Sequence, residues 1–377
     1  MKQDSDLRNN LKSIRTRLGM SQQDLANIAG VTRQTISGVE SGQYAPSVAI
    51  TLRLAKALGC QVEDLFWLDK DLPEIEAILA KPVPSNQSLR LSLARVGGQW
   101  IAYPLLGKDA FRQDMIPADG ESETQVGNSK VRVKLLDDNL EALHNTVVIA
   151  GCAPVISLWA RATERWHPQL RVHFTFANSI AALHSLCRGE AHIAGMHLYD
   201  AKTGEYNVPF ARDILAGREA VLITLGVWEE GLIVPSGNPK SFKTLGDLVA
   251  ANATIVNREV GAGSRMLLEQ QLQKEQIPLK AVQGFEHIVT SHQDVAQAVA
   301  LGLVDAGIST ASIAATFGLG FVPLHQSRYD LVILKEYLEE APIQQLLSTL
   351  GHRMVHSQLE VLGGYDISKI GEVVATV

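Results

Sequence analysis

Residues 254–271, TIVNREVGAGSRMLLEQQ, constrain the fold of this chain more than any other stretch. A β-branched run, Thr254-Ile255-Val256, leads into Gly261-Ala262-Gly263-Ser264-Arg265, and an apolar-periodic helix follows from Met266. Strand, glycine turn and helix in that order predict an α/β layer structure. The first turn of such a helix presents backbone N–H groups without intrahelical partners, and the peptide dipoles add partial positive charge, so an anion is its natural guest. Gly261 and Gly263 permit close backbone approach, and the Ser264 hydroxyl either caps the helix or bonds a ligand. The same residues also read as a capped crossover turn. Met266 stands where the third glycine of a dinucleotide fingerprint belongs, and no Gly-Lys-Ser/Thr follows, so neither nucleotide motif is present.

A chain of 377 residues exceeds one ordinary compact domain, so two or three units are expected. Its 46% hydrophobic and 20% charged residues are globular values. There is no run of about 18 apolar residues and no apolar signal core behind the opening MKQDSDLRNN, which leads us to expect a cytoplasmic protein with no membrane partner. The three cysteines, Cys60, Cys152 and Cys187, stand far apart, which suggests neither a zinc site nor a disulfide framework and leaves them as small buried hydrophobes. The net charge of -6 is unevenly spread: residues 1–66 hold eight Lys/Arg against six Asp/Glu, so the excess of acid lies in the remainder.

The first segment, to about Phe66, reads as five short helices and nothing else. Leu7, Leu11, Ile14 and Leu18 repeat at helical spacing up to Gly19; Ser21 with Asp24 opens a second helix that Gly30 ends; Thr32 caps a third ended by Gly42; a fourth follows Pro46. Helices this short share a core, for which Leu25, Ile28, Val31, Ile36, Val39, Ile50, Leu54, Leu58 and Leu65 are the candidates. The run from Met20 to Phe66 resembles the lambda-repressor type helix-turn-helix of the XRE family: the Ser-Gln-Gln-x-Leu-Ala opening, the Gly30-Val31 turn, Ile36, Glu40, Gly42 and Pro46 carry the likeness. The resemblance implies that Gln22 anchors the second helix on the DNA backbone and that Thr32, Arg33, Gln34, Thr35 and Ser37 face the major groove of a double-stranded operator. Arg and Gln are the side chains that read guanine and adenine edges in two-pronged fashion, and hydroxyls suit phosphate. Gly38 departs from the pattern, where a longer side chain often adds a contact. A homodimer is expected, because one recognition helix reads few bases.

Between about Lys70 and Asn145, KPVPSNQS reads as a linker, and LRLSLARV, GQWIAYPLL and KVRVKLL as strands, with turns at Asp119-Gly120 and Gly127-Asn128-Ser129. A small β-rich connector is expected, with Trp100 and Tyr103 packing its strands or lining a cleft. From Thr146 onward strands and helices alternate in two βα series. AVLITLGVWEEGLIV reads as a strand pair leading out, and the whole fits a two-lobed, mainly parallel α/β domain better than one continuous sheet. The predicted units are thus an all-α helix-turn-helix domain (1–69), the connector (70–144) and the two-lobed domain (145–377), with the first lobe at 145–235 and 321–377 and the second at 236–320.

This last portion resembles the periplasmic-binding-protein-like domain of cytoplasmic regulators known as molybdate-binding-like. The residues that carry the likeness are Ala150-Gly151-Cys152, Gly189 to His192, Gly195 to Leu198, Thr203 to Asn207, Gly237-Asn238-Pro239, Asn257-Arg258, Gly261 to Arg265 and Asp305-Ala306-Gly307. Ala153 stands where the family has an acidic residue, which puts the first-strand contact in doubt. The strand ends expected to converge on one cleft offer Cys152, Asn178, Ser179, His197, Tyr206, Asn257, Arg258, Gly261, Gly263, Ser264, Arg265 and Ser309 as ligand contacts, an inventory suited to a small anionic ligand. Arg265 serves equally as a ligand contact or in a salt bridge; His197 binds ligand or holds the 199–207 loop; Tyr206 and Asn207 close over the ligand or cap the next element. The resemblance implies molybdate or tungstate.

No catalytic residue, cofactor or metal site is expected: the histidines, His197 and His292 among them, are scattered without metal spacing, no GxSxG occurs, and Cys152 has no sequence-local base. The chain therefore reads as a ligand-responsive transcriptional regulator. The alternatives are an enzyme of a small anionic metabolite with a DNA-binding appendage, and a DNA-binding protein with a degenerate sensor.

Overall fold

The computed structural model describes residues 7–68, 73–83, 88–110, 115–126, 130–137 and 139–377. The expected KPVPSNQS linker lies partly, and the Gly127-Asn128-Ser129 turn wholly, outside them. One structural unit runs to Pro73 and a second begins at Glu74.

In the first unit, strand β1 (Leu7–Asn9) precedes helices α1 (Leu11–Arg17), α2 (Gln22–Ala29), α3 (Arg33–Glu40), α4 (Val48–Leu58) and α5 (Val62–Leu65), and strand β2 (Phe66–Leu68) pairs back on β1 antiparallel. The five helices are as expected; the small sheet is not. Leu7 belongs to β1, and Leu18 follows the last turn of α1 and is 51% exposed, so the apolar spacing overran the helix at both ends. Capping fixes the remaining boundaries. Ser21 Oγ accepts from Asp24 N (3.1 Å) while Asp24 Oδ2 accepts from Ser21 N (2.8 Å), and Gly30 closes α2 at φ +67°. Leu11, Leu25, Ile36, Val39, Leu54, Leu58 and Leu65 form the core. Val31 and Ile50 only border it, and Ile28 is 58% exposed, because α2 turns Leu25, Ala26 and Ala29 inward and leaves Ile28 off that stripe.

The second unit opens with a closed barrel of β3 (Glu74–Leu79), β4 (Arg90–Val96), β5 (Gln99–Pro104), β6 (Gly120–Val126) and β7 (Lys130–Leu135), in the order β3-β5-β4-β6-β7. The alternation in KVRVKL sends Val131, Val133 and Leu135 inward beside Leu91 and Leu93. Through its β4–β5 face the barrel is docked onto the α/β part of the unit. Ala94, Val96, Ile101 and Tyr103 pack into the same core as the next strands, the Tyr103 hydroxyl donates to the Glu190 carbonyl (2.6 Å), and Asp119 takes Arg171 in two bonds of 2.7 and 2.8 Å. Trp100 stacks on His144 at 5.1 Å between ring centroids, so both aromatics pack the barrel and its flank.

Helix α6 (Leu140–His144) leads to the first lobe: β8 (Thr146–Gly151), α7 (Val155–Trp166), β9 (Arg171–Phe176), α8 (Ser179–Cys187), β10 (Ile193–Met196), a hairpin of β11 (Tyr199–Asp200) and β12 (Glu205–Tyr206), and α9 (Val208–Leu215). Strand β13 (Ala220–Val234) crosses to the second lobe, which holds α10 (Leu245–Ala250), β14 (Ile255–Arg258), α11 (Gly263–Lys274), β15 (Ile288–Val289), α12 (His292–Ala300), β16 (Ala306–Thr310) and α13 (Ala311–Thr316). Strand β17 (Gly320–Leu334) returns, and α14 (Lys335–Leu338), α15 (Ala341–Ser348), α16 (Arg353–Leu362), β18 (Tyr365–Asp366) and β19 (Val373–Thr376) complete the first lobe.

Two expectations need correction here. AVLITLGVWEEGLIV is one strand of 15 residues, because its glycines make bulges instead of a reversal: register shifts fall between Thr224 and Gly226 and between Glu230 and Gly231. The lobes also share one hydrogen-bonded path, β15-β14-β16-β13-β17-β10-β8-β9. Strands β8, β9 and β10 run parallel in the first lobe and β14, β15 and β16 in the second, whereas β13 and β17 lie antiparallel to each other along almost their full length and antiparallel to β16 and β10. The lobes stay distinct because their cores are separate, Val148, Trp159 and Ile333 in the first and Leu245, Leu268 and Ile308 in the second.

His192 ties the barrel to the first lobe. Its Nδ1 accepts from Val148 N (3.0 Å) and its Nε2 reaches the Arg95 carbonyl of β4 (3.1 Å). Burial pushes its pKa down to about 4, against a smaller upward pull from the Arg95 carbonyl. A depressed histidine contributes stability that is complete above its unfolded pKa of about 6.5 and is lost as pH falls through the folded value. Thermal unfolding followed between pH 7 and 4 should therefore show a falling melting temperature, and His192→Gln should flatten that acid limb.

Candidate functional site

The carboxylate of Glu230, on β13 and 1% exposed, stands where the two lobes meet. It accepts from Ser264 Oγ at the start of α11 (2.7 Å), from Ser327 Oγ on β17 (2.6 Å) and from His197 Nδ1 just beyond β10 (3.2 Å). On the other side of the ring, His197 Nε2 lies 3.3 Å from Cys152 Sγ, and the His197 backbone N–H donates to Ser179 Oγ (3.2 Å). Cys152 and His197 arrive there because β8 and β10 end one residue before them, at the carboxyl edge of the parallel strands, where α/β folds place ligands.

Burial alone would raise the Glu230 pKa, but His197 outweighs it and holds the carboxyl well below its usual range. Burial likewise pulls His197 down, and Glu230 with Cys152 pushes it up further, so the two form an ion pair. His292, buried at the start of α12, is driven well below its ordinary value by burial first and then by the charges of Arg258 and His197, and is neutral.

The glycine turn of 261–265 is one of the second lobe's contacts with the first, beside Gln270 Nε2 donating to the Tyr199 carbonyl (2.9 Å). A Cβ on Gly263 would stand 2.2 Å from the His197 carbonyl oxygen, and Gly261, at φ +92°, receives the Ile180 N–H on its carbonyl (3.3 Å). Asn178, whose Oδ1 caps α8, donates through Nδ2 to Glu259 and to the Val260 carbonyl, both at 3.2 Å. The Ser264 hydroxyl goes to Glu230 and does not cap α11. Both arginines meet carboxylates: Arg258, 1% exposed, pairs with Glu259 (3.0 Å), and Arg265 pairs with Glu269 (2.8 Å) over the Phe285 ring. Asn257 is engaged within the second lobe, with Nδ2 donating to the Phe285 carbonyl and Oδ1 accepting from Arg258 N.

Of the residues read from sequence, the structure gathers Cys152, Asn178, Ser179, His197, Arg258, Gly261, Gly263 and Ser264, and also Ser309, whose hydroxyl lies 3.2 Å from His292 Nδ1. Tyr206 lies elsewhere, with its hydroxyl on the Gln326 carbonyl (2.6 Å), lining a surface hollow of about 440 Å³ with His325 and Glu229. Asn207 holds the loop: Oδ1 accepts from Leu198 N (2.6 Å) and Nδ2 donates to Asp330 (2.7 Å). Glu230, His292, Trp228, Ser327 and Tyr329 were not foreseen. Among the described residues, four buried side-chain polar atoms lack a hydrogen-bond partner: Trp228 Nε1, Arg258 Nη1, His292 Nε2 and Tyr329 Oη. All four belong to residues round this cleft. Trp228 lies 4.9 Å from His197, 5.8 Å from His292 and 5.0 Å from Tyr329 between ring centroids. Buried polar groups are otherwise satisfied, and unpaired ones mark places where a partner is wanted.

In the first unit, Arg33, Gln34 and Ser37 are exposed along α3. The Thr32 and Thr35 hydroxyls bond each other (2.9 Å), and Thr32 caps the helix. Gln22 is half-buried and donates to Glu40 (2.8 Å), which also holds Arg15 at 2.6 Å, so its amide braces α2 against α3. At Gly38 a Cβ would meet only the Tyr44 Cβ, at 3.5 Å, so packing does not demand the glycine.

A family model described as a PBP superfamily domain matches residues 160–351, half of the chain. The chain belongs to the PBP superfamily. A helix-turn-helix model matches residues 11–65, which makes this a PBP-like protein with an XRE-type DNA-binding domain. It is 35% identical to the uncharacterized protein YvgK of Bacillus subtilis over 199 residues, 53% of this chain; the match spans 64% of the length of YvgK. Over 65 residues, 17% of this chain, it is 42% identical to YgzD of the same organism, an uncharacterized HTH-type transcriptional regulator of which 98% is covered. An ABC-type phosphate transport receptor from Vibrio cholerae aligns with 58% of this chain and 98% of its own at 14% identity and a TM-score of 0.40, a similarity too low to carry a ligand across. No helix among the described residues is long and apolar enough to cross a membrane.

Gly263→Ala should open the PBP-like domain by forcing the turn off the His197 carbonyl, at a cost of about 1–3 kcal/mol. Scattering would then report a larger radius of gyration and calorimetry a lower melting temperature, whereas Gly351→Ala, where a Cβ meets nothing within 4 Å, should change neither.

Proposed function

We propose that this protein is a ligand-responsive transcriptional regulator whose effector is a compact polar species gripped between the lobes of the PBP-like domain. The observation that carries this reading is that Trp228, His292 and Tyr329, each with a buried polar atom lacking a partner among the described residues, ring His197 at the junction of the lobes, with the unpaired Arg258 guanidinium nitrogen's charge felt by His292. Three of these unpaired atoms, Trp228 Nε1, Arg258 Nη1 and Tyr329 Oη, are donors, which supports an oxyanion of the molybdate or tungstate kind implied by the family resemblance. The glycine turn contributes by closing the lobes, with its serine and arginines already engaged. Ligand shifts DNA affinity by as much as it prefers the closed state over the open one. Paired copies would bring two recognition helices to the operator, as two-fold half-sites require.

The enzyme reading has one observation in its favour. Cys152, His197 and Glu230 stand in the order of nucleophile, base and orienting carboxylate. Cys152 and His197 are each 3% exposed, so a substrate, like an effector, would reach them only when the lobes part; the helix-turn-helix match is what favours a regulator. Regulation without turnover is the simpler account.

In a thermal-shift series on the full-length protein, molybdate or tungstate in large excess should raise the melting temperature and sulfate should not; no shift with either would remove the oxyanion. Arg33→Ala combined with Gln34→Ala should abolish sequence preference in a footprint of the protein's own upstream region, while unchanged protection would remove α3 as the reading helix.

A further inference from the structure

The same cleft holds a second set of atoms, distinct from the donors that an oxyanion would use. Cys152 Sγ and one ring nitrogen each of His197 and His292 lie within 4.8 Å of one another, all buried. The hydrogen bonds fix which nitrogens those are. His197 Nδ1 faces the Glu230 carboxylate and keeps its proton there, while Nε2 points at the sulfur at 3.3 Å; in the metal-free ion pair Nε2 is protonated too, and a metal ion binding at that atom would displace this proton to solvent. Ser309 Oγ donates its only proton to the His292 carbonyl (3.3 Å), so it accepts from His292 Nδ1–H (3.2 Å). The His292 lone pair is thus on Nε2, an atom that has no partner among the described residues.

We propose that Cys152, His197 and His292 form a binding site for a transition-metal ion of borderline or soft character, zinc(II) or copper(I), and that this ion is an effector of the regulator. The inference rests on the cleft being the effector site. A thiolate with two imidazoles is a donor set that such ions prefer and that magnesium or calcium do not. Each imidazole has its far nitrogen held by an oxygen acceptor, Glu230 for one and Ser309 for the other, which is how ligating histidines are oriented in metal sites. Trp228 packs edge-on against both rings and Tyr329 stacks on His197 at 5.8 Å, so the site has an aromatic wall. The positive charge of Arg258 is met by Glu259, and Glu230 supplies a buried negative charge. A nucleophile–base–carboxylate line accounts for three of these residues but leaves the His292 lone pair idle; a metal ion uses it. Cys152 and His197 come from the first lobe and His292 from the second, so the complete donor set exists only when the lobes are closed. The ion would act as a staple between them, leaving a fourth coordination position for an exogenous ligand.

Full-length protein, reduced and stripped with a chelator, is titrated with cobalt(II) and then with zinc(II), and absorption and melting temperature are recorded. The expected result is one cobalt per chain, with thiolate-to-cobalt charge transfer and tetrahedral ligand-field bands, displaced by zinc, and a raised melting temperature. Cys152→Ser should remove the charge-transfer band, His292→Gln should weaken binding at least about tenfold, and Cys60→Ser and Cys187→Ser should leave both intact. Bands absent from the wild type, or persisting in Cys152→Ser, overturn the site. The wild-type titration needs no variant, so a misfolded substitution does not decide the outcome. Molybdate added to the metal-free protein is the separate arm: stabilisation by molybdate with no cobalt bands overturns the metal site and keeps the cleft as effector site, whereas no response to any probe overturns both.

Discussion

One carboxylate holds the PBP-like domain together at its waist. Glu230 takes a bond from each lobe and one from the neighbouring crossover strand, and it is fully removed from water. A charge buried this deeply persists only with its partners in place, and removing one partner from such a pair costs on the order of 3–5 kcal/mol. The histidine that answers it is therefore held in one orientation, and the sulfur and aromatic rings beside that histidine inherit a fixed geometry. These three bonds orient the donors, and together with the glycine turn they hold the lobes against each other.

Much of this architecture was legible in the chain. Caps at Ser21 and Thr32 and the glycine at position 30 write out the helix-turn-helix, because capping is local chemistry and needs no knowledge of the rest. The βα alternation is legible for the same reason. What failed were inferences from apolar spacing without a cap, as at Leu7, Leu18 and Ile28, and the reading of AVLITLGVWEEGLIV as a strand pair where it is one bulged strand. The cleft was half legible. Its strand-end residues could be found by rule, but Glu230 and Trp228 lie in the middle of a strand, and Tyr329 is one more aromatic in an apolar run. His292 opens a helix in the other lobe, and nothing local sets it apart from ten other histidines. Their common role is created by the fold.

The barrel, read from sequence as a connector, is in fact a fixture of the first lobe, sharing its core and a buried histidine. It also touches the second lobe: Lys108, beside β5, meets Asp294 in the first turn of α12 at 2.6 Å. That contact is exposed on the lysine side and worth little energy alone. Its position matters more, since α12 begins at His292, and displacement of that helix changes the barrel's only ion pair to the second lobe among the described residues.

The bulge in β13 has a mechanical meaning. Ladders bend where their register slips, and this one slips between Glu230 and Gly231, opposite Pro323 and His325 on β17. The residue that clasps the two lobes thus also sits at one of the two register shifts of the strand that joins them. Under the proposed function no chain of intermediaries would separate detector from joint, because the bend in the connecting strand and the carboxylate beside the binding groups are one residue apart.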